Sequence, residues 1–345
     1  MIKPVFYSII LRSSMRKLTI GKIRGLQQIA NLDGIFTICA MDHRGSLRSM
    51  IDEEHPEEVS YQEMVEHKLE LCSMLAKYAS AVLLDPIFGA AQSISHGVLP
   101  KSTGLLVSIE ASGYSGEKEN RITELLEGWS VDKIRRMGAS AVKMLVYYRP
   151  DLKQLASQQL DTVNMVAMEC MKYDIPFLVE PLTYPIGNES SNSQEFAILK
   201  EQLVIKTARD MTALPIDVLK AEFPADLRYQ KDRSKLIALC HQLGMASQVP
   251  WVILSSGVDF ELFYQQVEIA CQAGASGFLG GRAIWQEAVY IDDKKERLKY
   301  LSTVAVERMK RLNEVANKYA VPWYKKLGAS AQELVHISEK WYRQY

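Results

Sequence analysis

Eight short runs rich in Val, Ile, Leu and Phe recur along the chain, at residues 34–42, 80–86, 104–110, 140–148, 176–181, 217–223, 251–257 and 276–282. They are continuously apolar rather than alternating, the pattern of strands buried on both faces in a parallel sheet. Parallel neighbours must be joined by crossovers of a dozen or more residues. Most of the intervening segments have that length and carry helical period: in "YQEMVEHKLELCSMLAKYA", Val65, Leu69, Cys72, Leu75, Ala76 and Ala79 share one face. Further helices are expected from near Ile122, Leu152, Gln194, Lys231 and Asp259, whereas 87–103 shows no clear helix. Eight strands with helical crossovers predict an α/β fold, a (β/α)8 TIM barrel over residues 30–290 in a single domain. Residues 1–29 read as an N-terminal extension and 291–345 as a C-terminal helical region packing on the barrel. A doubly wound open sheet is the competing arrangement.

Composition narrows the function. A chain of 345 residues with 48% hydrophobic content can fill one large core. Lys+Arg and Asp+Glu are each 41, and no basic block stands out, which argues against a nucleic-acid partner and for a small molecule. The apolar run Val5–Leu11 is too short for a membrane span and lacks a cleavage site; Met15 is a candidate natural start. Five scattered cysteines in apolar segments suit reduced thiols in a cytosol. Six histidines show no His-x-His or His-x-x-x-His pair, so neither a metal site nor a cofactor is expected. A homo-oligomer is left open.

The polar residues cluster at the C-terminal ends of the apolar runs: Asp42, Asp85, Glu110, Lys143, Glu180, Lys220 with Glu222, Ser255, and Arg282 after two glycines. In a barrel these ends form one mouth, where active sites are built. A single acidic residue there is commonly a helix cap. Lys143 and Lys220 are more informative, since each interrupts an apolar strand and lysine is rarely buried unless paired or functional. Burial and a neighbouring ammonium both favour the neutral amine, which makes Schiff bases. Lys220 is therefore the candidate nucleophile, with pairing to Glu180 or Glu222 as the plain structural reading. Lys143 is either nucleophile or electrostatic helper, and Glu180 is a candidate acid/base.

Two further stretches suit a phosphate. "SSGV" at 255–258 and "GGRA" at 280–283 follow the seventh and eighth strands and lead into helices, the place where barrels cradle phosphate with backbone N–H groups. Candidate phosphate ligands are Ser255, Ser256, Gly257, Gly280, Gly281 and Arg282, the arginine offering a forked cation. In "DHRGSLR", His43 and Arg44 beside Asp42 are candidate substrate- or phosphate-binding residues, and Arg44 and Arg48 are candidates for a second anion.

The motifs "AMDHRGSL", "LLDPIFG", "LLVSIEASGY", "VKMLVYY", "PFLVEPLTYP", "DVLKAEFP", "LSSGV" and "GGRAIW" resemble, in order, those of the class I tagatose 1,6-bisphosphate aldolase family. The resemblance spans about residues 30–290 and implies the same barrel. It implies Lys220 as the Schiff-base lysine, Glu180 as general acid/base, Asp42 and Lys143 as active-site polar groups, and Ser255, Gly281 and Arg282 around a substrate phosphate. The implied activity is reversible cleavage of a phosphorylated ketose to dihydroxyacetone phosphate and an aldehyde. Departures are His43, where the family often has glutamine, and the segment 183–196. Relatives that cleave 6-deoxy-6-sulfofructose 1-phosphate share most of the barrel, so the far end of the ketose carries phosphate or sulfonate. A non-catalytic barrel that only binds a sugar phosphate is disfavoured by the presence of both lysines and Glu180.

Overall fold

The computed structural model describes residues 18–345 apart from 333, 336 and 344, so the run Val5–Leu11 and Met15 lie outside the described residues. Eight strands, β1 (Phe36–Met41), β2 (Ala81–Leu84), β3 (Gly104–Ser108), β4 (Ala141–Tyr147), β5 (Phe177–Leu182), β6 (Val218–Ala221), β7 (Trp251–Leu254) and β8 (Gly277–Gly280), form a closed barrel in chain order. Every neighbouring pair is parallel, including β8 with β1, where Phe36 stands opposite Gly277. All eight expected strands are present. Most end a few residues early, because the polar residues closing each run turn out of the ladder into the mouth loops.

Long helices cover the barrel at Tyr61–Leu75, Lys153–Lys172, Gln194–Thr212, Arg233–Ala246 and Phe260–Gln272. Four of them start on a side chain that accepts orphan backbone N–H groups of the first turn: Ser60, Ser193, Asp232 and Asp259. Two crossovers differ from expectation. The segment 87–103 contains a short helix, Ala90–Ser95. The helix expected near Ile122 does not form there: Ile122 bridges Ser115, Leu125 bridges Glu110, and a helix runs only over Val131–Arg136. Gly128 in the left-handed region (φ 70°) and Ser130 as N-cap fix that late start.

The N-terminal end of the barrel is floored. The helix Ile20–Ile29 places Leu26 and Ile29 against Phe36, Ile38, Ala81, Leu106, Leu178 and Trp323, all buried. The fit is close at the first residue of β8: Gly277 has φ 130°, and a Cβ there would sit 1.9 Å from the Phe36 carbonyl oxygen. The region beyond 290 folds back on the barrel wall, with Arg297 Nε paired to Glu70 Oε2 at 2.7 Å between buried partners. Among the described residues no helix is long and apolar enough to cross a membrane.

Candidate active site

Alternate residues of a strand face the same side. The barrel interior is filled by Ala40, Leu83, Leu106, Ala141, Leu178, Val218, Val252 and Leu279. Two residues further along the same parity come Asp42, Asp85, Ser108, Lys143, Glu180, Lys220, Leu254 and Gly281. The register that packs the apolar layer thus aims the charged layer up the barrel axis. Most of that layer lines a cavity of about 390 Å³ at the mouth, with Leu145, Tyr147 and Leu182 forming its apolar wall.

The charged groups are connected. Lys143, almost fully buried, holds three carboxylates: Asp42 Oδ2 at 2.7 Å, Glu110 Oε1 at 2.7 Å and Glu180 Oε2 at 3.0 Å. The other oxygen of Glu180 lies 2.7 Å from Lys220 Nζ. Glu180 therefore bridges the two lysines. Burial opposes the charge on Lys143, but the carboxylates of Asp42, Glu110 and Glu180 win and hold its pKa well above the usual lysine range. Burial likewise opposes ionisation of Asp42, and the ammonium groups of Lys143 and Lys220 overcome it and hold Asp42 well below the usual carboxylate range. Glu222 does not pair with Lys220. It turns outward, accepting from the Thr183 N–H at 2.7 Å and pairing with Lys200 at 2.7 Å.

His43 stacks edge-on against Trp285, whose indole N–H donates to the Ala40 carbonyl at 3.0 Å. Its Nδ1 is 4.0 Å from Asp42 Oδ1 and has no hydrogen-bond partner among the described residues. Burial pushes the ring down to about 3; Asp42 opposes this, and Arg282, Lys68 and Lys220 reinforce it. His43 is a neutral imidazole at neutral pH. Arg44 is buried at the cavity wall, donating to the Glu110 carbonyl at 2.8 Å through one nitrogen. Its other terminal nitrogen has no partner among the described residues.

The loops after β7 and β8 meet at the opposite edge. Ser256 and Gly257 take successive positive φ values, 49° and 72°, which fold the loop back toward Arg282. A Cβ on Gly257 would come within 3.0 Å of the guanidinium, so glycine lets backbone and arginine approach. The Gly281 N–H points at Ser255 Oγ, 3.4 Å away, and Arg282 Nε has no partner among the described residues. The helix Arg282–Val289 begins at the arginine itself.

Of the residues marked from sequence, Asp42, His43, Arg44, Lys143, Glu180, Lys220, Ser255, Ser256, Gly257, Gly281 and Arg282 all line this one cavity. Two do not. Gly280 packs outward, where a Cβ would meet Ile284 and Phe263 at 2.8 Å, so its smallness serves helix packing. Arg48 donates to the Val59 carbonyl and lies over the Phe88 ring at 5.6 Å, away from the cavity. Sequence reasoning passed over Glu110 as a partner of Lys143 and missed Lys68, which sits on a helix and not at a strand end. All five cysteines are free and buried, and burial pushes their thiols up, with Cys72 at about 11. Among the described residues no group of His, Cys, Asp and Glu is placed to hold a metal ion.

A parallel eight-stranded barrel with two buried lysines joined through a carboxylate at its mouth defines the class: this is a class I aldolase, a carbon–carbon lyase. A family model described as DeoC/LacD family aldolase matches residues 36–287, and the chain belongs to that family. A tagatose 1,6-diphosphate aldolase of Staphylococcus aureus (strain bovine RF122 / ET3-1) is 32% identical over 320 residues, covering 88% of this chain and 97% of the relative. The protein of the same name from strain JH9 matches to the same extent, 32% over 320 residues. Among solved structures, an archaeal fructose 1,6-bisphosphate aldolase superposes with TM-score 0.54 at 20% identity, over 83% of this chain and 98% of its own. A fructose-bisphosphate aldolase from Slackia heliotrinireducens does so with TM-score 0.59 at 14% identity, over 86% and 90%. At such identities these structures speak for the barrel alone.

Proposed function

We propose that this chain cleaves tagatose 1,6-bisphosphate reversibly to dihydroxyacetone phosphate and glyceraldehyde 3-phosphate through a Schiff base on Lys220. The observation that carries this reading is the unequal sharing of carboxylates between the two lysines. Lys143 is saturated by three, which fixes its proton and makes it an electrostatic anchor; Lys220 has one ion-pair partner among the described residues, Glu180, and that partner is placed to take its proton. The substrate follows from the similarity to the tagatose 1,6-diphosphate aldolases.

The neutral Lys220 amine adds to the C2 carbonyl, and Glu180, having received the proton, returns it to the departing hydroxyl as the carbinolamine loses water. The iminium is the electron sink. Glu180 then removes the C4 hydroxyl proton, the C3–C4 bond breaks, and its electron pair enters the iminium to give an enamine and the free aldehyde. Protonation at C3 and hydrolysis release dihydroxyacetone phosphate and restore the amine. Asp42 shares Lys143 with Glu180 throughout, which limits the pull of that ammonium on the acid/base. The phosphate at C1 lies between Ser255, Ser256, Gly257, Gly281 and Arg282, and the unpartnered nitrogen of Arg44, beside His43, faces the other end of the ketose.

Borohydride reduction in the presence of dihydroxyacetone phosphate tests this reading. The expected product is one reduced adduct on the peptide containing Lys220, with loss of activity. Label on Lys143, or an enzyme that leaves tagatose 1,6-bisphosphate uncleaved, would refute it.

A further inference from the structure

A third buried lysine stands behind the site. Lys68, on the helix Tyr61–Leu75, is fully excluded from solvent. Its ammonium is 3.0 Å from Asp85 Oδ2, donates to the His43 carbonyl at 2.6 Å and also to the Met41 carbonyl. Asp85 is itself fixed, its Oδ1 accepting the Ile87 and Phe88 N–H groups at 2.9 and 2.8 Å. The two carbonyls that Lys68 grips flank a single residue, Asp42. A buried ion pair is a poor way to gain stability, since packed apolar side chains commonly do as well. Its geometry here has a direction, because it pins the backbone on both sides of the carboxylate that meets Lys143.

We propose that Lys68 is a positioning residue for the aldol reaction: by clamping the Met41 and His43 carbonyls it aims Asp42 at Lys143, and thereby keeps Lys143 from drawing Glu180 away from Lys220. The chain of contacts is continuous, from Lys68 to the backbone around Asp42, from Asp42 Oδ2 to Lys143 Nζ at 2.7 Å, on to Glu180 Oε2 at 3.0 Å, and from Glu180 Oε1 to Lys220 at 2.7 Å. Without the clamp, Asp42 is free to swing off Lys143, whose ammonium, with one carboxylate fewer, then pulls harder on Glu180 and draws the carboxylate from Lys220. This inference rests on the reading of Glu180 as the acid/base serving Lys220.

The test compares the parent chain with Lys68→Met and with the double variant Lys68→Met/Asp85→Asn, which keeps the acceptor for Ile87 and Phe88 and removes the uncompensated buried carboxylate. Trappable sites are counted by borohydride labelling with dihydroxyacetone phosphate, and turnover is divided by that count. Turnover is read both as ketose cleavage and as deuterium exchange at C3 of dihydroxyacetone phosphate, a partial reaction independent of which ketose is cleaved. The expected result is retained labelling, little change in KM, and turnover per labelled site lower by roughly 10–100-fold, by analogy with the loss when outer partners that orient metal ligands are removed. Parental turnover per labelled site would overturn the proposal, as would failure of both variants to fold, which would make Lys68 a purely structural residue. Label on a lysine other than Lys220 would count against the proposed function and leave the per-site comparison to decide on Lys68.

Discussion

Glu180 stands between two ammonium groups, 2.7 Å from one and 3.0 Å from the other, and only one of its oxygens faces the amine that must lose a proton. Replacing it by glutamine keeps the shape and abolishes proton exchange. Glu180→Gln is expected to reach the borohydride-trappable adduct only on long incubation, where slow dehydration still comes to equilibrium, while losing roughly two to four orders of magnitude in turnover, the usual worth of a positioned acid/base; near-normal single-turnover cleavage would contradict this. Arg282 belongs to a different task. Arg282→Ala should reduce kcat/KM for phosphorylated ketoses by about 2–5 kcal/mol, the cost of truncating one partner of a charge-assisted pair, with lysine a partial rescue because it lacks the fork. Reaction with unphosphorylated dihydroxyacetone should be almost unchanged, and equal losses on both substrates would assign Arg282 to shaping the loop. Glu180 was legible in the sequence because it closes an otherwise apolar run, and Arg282 because it follows a Gly-Gly turn after the last strand, both at the end of a barrel where sites are built. The sequence marked Lys220 as the candidate nucleophile but left Lys143 between nucleophile and electrostatic helper, since the number of carboxylates that converge on each is set by other strands.

At the scale of elements, the floor and the mouth are separate constructions on the same strands. Trp323 is buried under the barrel with Leu26 and Ile29, far along the strands from the charged layer. Trp323→Ala should cost about 3–5 kcal/mol of stability, the usual cost of truncating a core aromatic, measured as a lower urea midpoint. The turnover of the folded fraction should be unchanged; a parallel fall in turnover per folded chain would show that floor and mouth are coupled. The eight strands were readable because burial on both faces leaves continuous apolar runs. The excursion 109–130 was misread because its apolar residues, Leu125 and Trp129 among them, pack against the core from a loop and so imitate helical spacing. The helix Ile20–Ile29, within what reads as an extension, supplies part of the floor, and a hydrophobic stripe does not say which end of a barrel it covers.

For the molecule as a whole, the mouth sets a pH dependence of stability. The folded state keeps His43 neutral down to about 3, whereas the unfolded chain protonates it near the ordinary value of 6.5. The folded pKa is lowered, so the contribution is complete above about 6.5 and is lost as pH falls toward 3, at a limiting slope of about 1.4 kcal/mol per pH unit for one proton. Asp42, held below its ordinary value of 3.8, adds to the loss in the same direction at still lower pH. Urea midpoints should fall between pH 7 and pH 4, and His43→Gln should flatten the upper part of that decline. A parent chain equally stable at pH 7 and pH 4 would refute the burial of a neutral ring.

The closure of β8 onto β1 has a consequence for how the protein comes into being. Residue 36 finds its partner at 277, and the Trp285 indole reaches back to the Ala40 carbonyl. A ribosome that has made seven strands has made a sheet with two open edges, rows of unpaired N–H and C=O groups that invite other chains. The eighth strand removes both edges at once. Until it emerges the nascent chain is exposed to misassociation, and β1, the first strand made, waits the longest for its second neighbour.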